Sequence, residues 1–135
     1  MNLQRINPPE LGRPSGFTHA VRATDSARVY LAGQTALDSS GAIVGTTIVE
    51  QFEQALSNLL TALAAAGGAA EHLATVTIYI VDIADYRKHA REIGAVWRRL
   101  AGTEYPAMAG IGIARLWDEQ ALVELQGVAE IPALN

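Results

Sequence analysis

Between Glu50 and Ala66, Phe52, Leu56, Leu59, Leu60 and Leu63 recur at three- and four-residue spacing, and a few residues later Leu73 to Val81 alternates instead. This pairing constrains the fold more than any other feature of the chain. The first segment is a helix with one wide apolar stripe, and interspersed alanines let that stripe approach a flat surface closely. The second is a strand with Val76, Ile78 and Ile80 on one face and Thr77, Tyr79 and Val81 on the other. A one-sided helix beside a two-faced strand has its apolar solution in a helix laid on a sheet. Gly67-Gly68 predicts a left-handed C-cap between them.

The remaining segments repeat this pattern. Asp82 is placed to cap a second helix, with Asp85 in its first turn and Tyr86, His89, Ala90, Ile93, Val96 or Trp97, and Leu100 along its sheet-facing side. The stretch to Gly16 holds three of the five prolines and two glycines, and reads as a short strand and an irregular loop. Strands are predicted from His19 to Ala23, from Arg28 to Gly33, from Met108 to Ala114 and from Ala121 to Ala129. Thr24-Asp25-Ser26 and Asp38-Ser39-Ser40-Gly41 supply turns, and Tyr105-Pro106 leads into the Met108 strand. The order is β-β-α-β-α-β-β after a short leading strand. This is an α+β chain with a mixed sheet, read as a single domain over residues 1–135 without internal repeats.

Two helices on one side of a sheet leave its other face uncovered, and the chain has no further helix to cover it. Half the residues are hydrophobic and 18 % are charged. Composition and topology both point to self-association. The formal net charge of -4 gives no long-range attraction to nucleic acid or to an anionic membrane. The local basic groups, Arg87-Lys88 with Arg91 and Arg98-Arg99, read as charged helix faces in water. With no cysteine there is no disulfide framework, thiolate nucleophile or sulfur-based zinc site. The first residues lack the apolar run of a secretory signal, and no apolar run approaches a membrane span. A cytoplasmic protein is expected.

Polar groups at strand ends and beside glycines are the candidates for chemistry. Gly33-Gln34-Thr35 ends a strand; Gly33 permits close backbone approach, and neighbouring amides could hold a carboxylate or developing negative charge. A plain strand exit, with Gln34 bonded to loop backbone, is the alternative. Glu124 lies in Ala121–Ala129, sharing a face with Leu122 and Gln126. A carboxylate in an apolar strand is costly to bury without partners and suits a group that orders water or passes a proton, unless it simply faces an open cleft or solvent. His19 could serve as base, donor or aromatic wall, or as a structural residue. His72 and His89 give it no metal-ligand spacing, so no metal is expected. Arg115 could bind an anion or pair with Asp118 or Glu119. No glycine-rich phosphate loop and no nucleophile elbow occurs, and no cofactor is expected.

Ala32-Gly33-Gln34, Gln51 through Asn58-Leu59 with Gly67, Tyr79-Ile80-Val81-Asp82, Tyr105-Pro106-Ala107 and Val123-Glu124 together resemble the RidA family, also called YjgF/YER057c/UK114. The match runs from about Pro14 to Ala129. It implies a chorismate-mutase-like fold assembled as a homotrimer, sheets facing an inner barrel and clefts between subunits. In the best-known class of that family, reactive imines and enamines derived from amino acids are hydrolysed to 2-oxo acids and ammonia. An arginine after the Pro-Ala pair grips the substrate carboxylate, and a glutamate on the last strand positions water. Glu124 matches that glutamate and Gly33 the cleft glycine. The arginine position holds Met108, with Phe17 where tyrosine is usual, Ala90 for asparagine and Gly110 for cysteine.

A bidentate arginine–carboxylate pair contributes roughly 2–5 kcal/mol when desolvated, so its replacement by a thioether changes recognition substantially. The resemblance therefore implies a divergent member. One expected function is hydrolysis of a small imine, enamine or related compound that is uncharged or differently charged. There Glu124 would orient water, while Gly33, Gln34, Phe17, His19, Met108 and Arg115 would bind or shape the cleft. The other is a non-catalytic small-metabolite-binding or regulatory trimer using the same cleft. RNA cleavage, also linked to the family, finds no support in the acidic balance.

Overall fold

The computed structural model describes residues 2–133. The elements are β1 (Leu3–Ile6), β2 (Ala20–Ala23), β3 (Ser26–Gln34), α1 (Ile48–Ala65), β4 (Leu73–Ile80), α2 (Ile83–Lys88), α3 (Ala90–Ala101), β5 (Ala107–Gly112) and β6 (Val123–Pro132). Four strands form a mixed sheet in the order β3-β6-β4-β5. β6 runs antiparallel to both β3 and β4, while β5 lies parallel to β4 at the edge.

α1 begins and ends on local chemistry. Thr47 accepts from the Glu50 amide at 3.2 Å while Glu50 returns a carboxylate oxygen to the Thr47 amide at 3.1 Å, closing a capping box. At the other end Gly67, at φ 91°, donates to Ala64 and Gly68 donates to Leu63, the left-handed stop expected for this pair. The stripe between these caps is buried: Phe52, Leu56, Leu59 and Leu63 pack with Val76, Ile80, Val123 and Leu125 in one core. α3 adds Ile93, Val96 and Trp97 to the same side of the sheet.

Three departures from the expected order have physical causes. β2 does not join the main sheet; it pairs with β1 in a separate two-stranded ribbon. Asp25, at φ 49°, turns the chain between the two sheets, and the Thr24 amide is held by Asn2 O while Ala133 donates to Asp25 O. The second helix is two: His89 leaves helical geometry at φ -106°, ψ 16°, and its amide bonds to both Asp85 and Tyr86. Its ring nitrogen Nδ1 lies 3.2 Å from the Asp85 carboxylate, which gives His89 a side-chain partner at the junction. β6 starts later than expected and runs past Ala129 to Pro132, so that Glu130 pairs across the sheet with Arg28.

Among the described residues no helix covers the second sheet face. Register places Tyr79 opposite both Glu124 and Ile111, and Val128 opposite Tyr30. Tyr30 is 75 % exposed there, and Ile111 is also exposed. The uncovered face predicted from the helix count is therefore present and carries large apolar side chains. No helix is long and apolar enough to cross a membrane among the described residues.

Candidate functional site in two halves

Glu124 stands on the uncovered face of β6, and its carboxyl group lies against Gly33 of β3. A Cβ at position 33 would collide with it, standing 2.8 Å from Glu124 Cδ. The backbone prepares this approach, because β3 gains a residue relative to β6 between Leu31 and Gln34. Such a bulge re-aims the strand where a plain ladder would keep Gly33 in line. Among the described residues the half-buried Glu124 carboxylate has no hydrogen-bond or ion-pair partner, so its oxygens are free to accept from water or a ligand. Gln34 is adjacent, its amide directed at Ala32 O at 3.4 Å.

Two polar side chains of α1 hold the loops on either side of this pair. Gln51, 2 % exposed, donates to Gly45 O and Gln120 O at 3.1 Å each and accepts from the Leu122 amide at 2.8 Å. Asn58 donates to Thr35 O at 3.0 Å and to Leu37 O at 2.8 Å. Gln51 thereby sets where β6 begins, and Asn58 sets where β3 lets go. The signal was present in the sequence as polar residues within the buried run of α1.

The other family-matched positions gather elsewhere. Met108 pairs in register with Val76 and Gly110 with Ile78, which puts both on the helix-covered face near the sheet edge. Phe17, Tyr86, Met108 and Gly110 line a cavity of about 400 Å³. A larger one of about 590 Å³ shares Met108 and Tyr86 and adds Ala90, Gly94 and Trp97 of α3. Burial pushes the Tyr86 hydroxyl up to about 12, so it stays a neutral donor. Within one chain, then, Glu124 and Gly33 lie on one side of the sheet, and Met108, Phe17, Ala90 and Gly110 on the other.

Two further candidates stand outside both halves. His19 packs edge-on against Phe17 with ring centroids 5.1 Å apart, and its Nε2 lies 3.1 Å from Gly12 O. It thereby holds the loop that carries Phe17 and lines neither cavity. Arg115 is exposed and donates to Leu116 O at 3.2 Å and Trp117 O at 3.4 Å within its own loop; among the described residues it pairs with neither Asp118 nor Glu119. Glu130, not singled out from the sequence, is the buried carboxylate of the sheet. It is 4 % exposed and accepts from Arg28 Nε at 2.6 Å and Ser26 Oγ at 2.9 Å. Burial pushes its pKa up, but the Arg28 and Ser26 hydrogen bonds and the Arg28 charge outweigh that and hold it below the usual carboxylate range. Among the described residues no three His, Asp or Glu side chains converge as a metal site.

A mixed sheet backed by helices, with a free glutamate over a strand-end glycine, defines a RidA-type domain, and comparison with known proteins agrees. The pattern of the family described as Endoribonuclease L-PSP matches residues 10–131, and the chain belongs to this family. It is 29 % identical over 119 residues to the RutC family protein PH0854 of Pyrococcus horikoshii, covering 87 % of this chain and 89 % of that one. It is 28 % identical over 102 residues to human 2-iminobutanoate/2-iminopropanoate deaminase, covering 75 % of this chain and 71 % of the relative. The crystal structure of YyfB from Yersinia pestis, a protein of unknown function of the conserved Rid family, superposes with a TM-score of 0.84 at 30 % identity, covering 97 % of this chain and 100 % of that one.

Proposed function

We propose that this protein hydrolyses a small reactive imine or enamine in a cleft completed between copies of the chain, a closed trimer being the simplest way to unite its two half-sites. The observation that carries this reading is the Glu124 carboxylate, free of protein partners and laid over Gly33 on a sheet face that no helix covers. A second copy packed on that face would bring its Met108 edge to this Glu124. In the reaction Glu124 takes a proton from water as the oxygen attacks the imine carbon. Glu124 passes that proton to the imine nitrogen, giving a neutral carbinolamine, and a second transfer through Glu124 from its hydroxyl to its nitrogen expels ammonia and leaves the carbonyl product; an enamine enters the same path after protonation on carbon. Backbone amides near Gly33 would hold a polar atom of the substrate. The naming of the human relative as an imine deaminase supports this chemistry.

Met108 distinguishes the substrate. An apolar wall cannot fork onto a carboxylate attached to the reacting carbon, so 2-imino acids should be poor substrates and uncharged or differently charged imines better ones. The same substitution favours the second reading, a ligand-binding or regulatory trimer without turnover. The nuclease activity suggested by the family's description finds no basis in a net charge of -4. The test is release of ammonia or carbonyl product from freshly generated imines, with and without a carboxylate on the imine carbon, by wild type and Glu124→Ala. Turnover that prefers carboxylate-free imines and falls in the variant supports hydrolysis. No turnover by a folded oligomer on any substrate moves the assignment to ligand binding.

A further inference from the structure

Among the described residues the Glu124 carboxylate has no hydrogen-bond or ion-pair partner, so no polar contact fixes where it points. A glutamate side chain turns about several bonds, and left to itself it spreads over many staggered rotamers. What aims it here must be steric. The sheet order β3-β6-β4 sets Glu124 between two neighbours, Gly33 of β3 and Tyr79 of β4. The glycine supplies room, because the carboxyl group occupies the place that a Cβ at position 33 would take.

Tyr79 supplies a wall on the other side. It is the residue directly across from Glu124 in the pairing of β4 with β6, where facing Cβ atoms stand about 4.5–5.5 Å apart. The half-buried ring is itself tied. Its hydroxyl donates to Gln126 Oε1 at 3.2 Å, and Gln126 stands two residues beyond Glu124 on the same face of β6. The phenol therefore crosses diagonally from β4 onto β6, beside the stem of Glu124. Ile111 of β5 stands behind Tyr79 in the same row and limits its retreat. Glycine on one side and a tethered ring on the other leave the carboxylate one direction in which to lean.

We propose that Tyr79 is a positioning residue, whose ring closes the β4 side of Glu124 and so holds the carboxylate against Gly33. The ring does the confining; the hydroxyl, through Gln126, sets the angle of the ring. The kinetic consequence rests on the hydrolase reading, whereas the placement of the carboxylate is independent of turnover.

Crystal structures of wild type, Tyr79→Ala and Tyr79→Phe read that placement directly. With alanine the carboxylate should leave Gly33 and turn into the space the ring vacates, and with phenylalanine it should stay. Hydrolysis of a carboxylate-free imine reads the consequence. Tyr79→Ala should lower kcat by about tenfold with KM changed less than about twofold, because the group displaced acts in the chemical step. Tyr79→Phe should remain within about threefold of wild type. In a Glu124→Gln background, Tyr79→Ala should cost nothing further, since the wall acts only through the carboxylate it aims. Thr77→Ala, at the adjacent open-face position of β4, controls for loss of sheet surface and should leave kcat unaltered. Should Tyr79→Ala fail to fold or assemble, Tyr79→Leu replaces it, with the same expectations and a smaller loss.

A carboxylate that stays on Gly33 without the ring, or a kcat loss of equal size in the Glu124→Gln background, would overturn the proposal. A displaced carboxylate in a protein whose wild type hydrolyses no imine would count against the hydrolase reading alone. Imine turnover with an undisplaced carboxylate would count against this inference alone.

Discussion

Glu124 and Glu130 share a strand and, by alternation, a face, yet their surroundings differ. Glu130 is held by Arg28 and Ser26, whereas the Glu124 carboxylate, lying against Gly33, has no hydrogen-bond or ion-pair partner among the described residues. Replacing Glu124 by Ala should lower imine turnover by roughly a hundredfold or more, the range for a lost general base, with unchanged thermal stability. Gly33→Ala should push the carboxylate away and cost about a hundredfold in kcat while leaving the circular dichroism spectrum intact. A Gly33→Ala enzyme of full activity would show that the carboxylate's position over the glycine is immaterial. Glu130 predicts a pH effect of definite sign. Its folded pKa lies below the ordinary value of about 4.3, so its ionisation stabilises the fold above that pH and the contribution is lost as pH falls through the folded value. Urea melts from about pH 6 down to 3 should show a flatter acid limb for Glu130→Gln than for wild type.

At the scale of elements, α1 both builds the core and aims the site. Thr47→Ala removes one side of its capping box and should cost about 1 kcal/mol in urea denaturation without altering kcat. Gln51→Leu is a different case. It strands the Leu122 amide and the carbonyls of Gly45 and Gln120, so about 2–3 kcal/mol of stability should go with it. Because the same bonds fix the start of β6, kcat should fall as well. A loss of stability with kcat preserved would show that the strand holds Glu124 in place without the clamp.

The whole molecule presents a sheet with helices on one side only, and Tyr30 and Ile111 stand exposed on the other. Hydrophobic burial of that face is the driving force expected for assembly. Wild type is expected to sediment as a closed oligomer, and a Tyr30→Asp, Ile111→Asp double variant should sediment as a monomer. If the two half-sites meet only between copies, the monomer should retain secondary structure and lose imine hydrolysis. A monomer as active as wild type would place the complete site within one chain.

Periodicity in the sequence was enough to lay α1 on a sheet, to alternate β4 between core and open face, and to foretell from the helix count that one face would be bare. Gly33 and Glu124 were each legible as candidates, because strand ends and a lone acid in an apolar run are local signals, but their meeting across β3 and β6 was not. Other features were settled only in three dimensions. The helix break at His89, the passage of β2 into its own ribbon and the burial of Glu130 beside Arg28 depend on partners far away in the chain. So do the separation of Met108 from Glu124 and the gathering of Tyr86, Trp97 and Met108 around one cavity. Local sequence determines which faces of an element are apolar. Which charge finds a partner, and which is left free to bind, is decided only when distant elements are packed against one another.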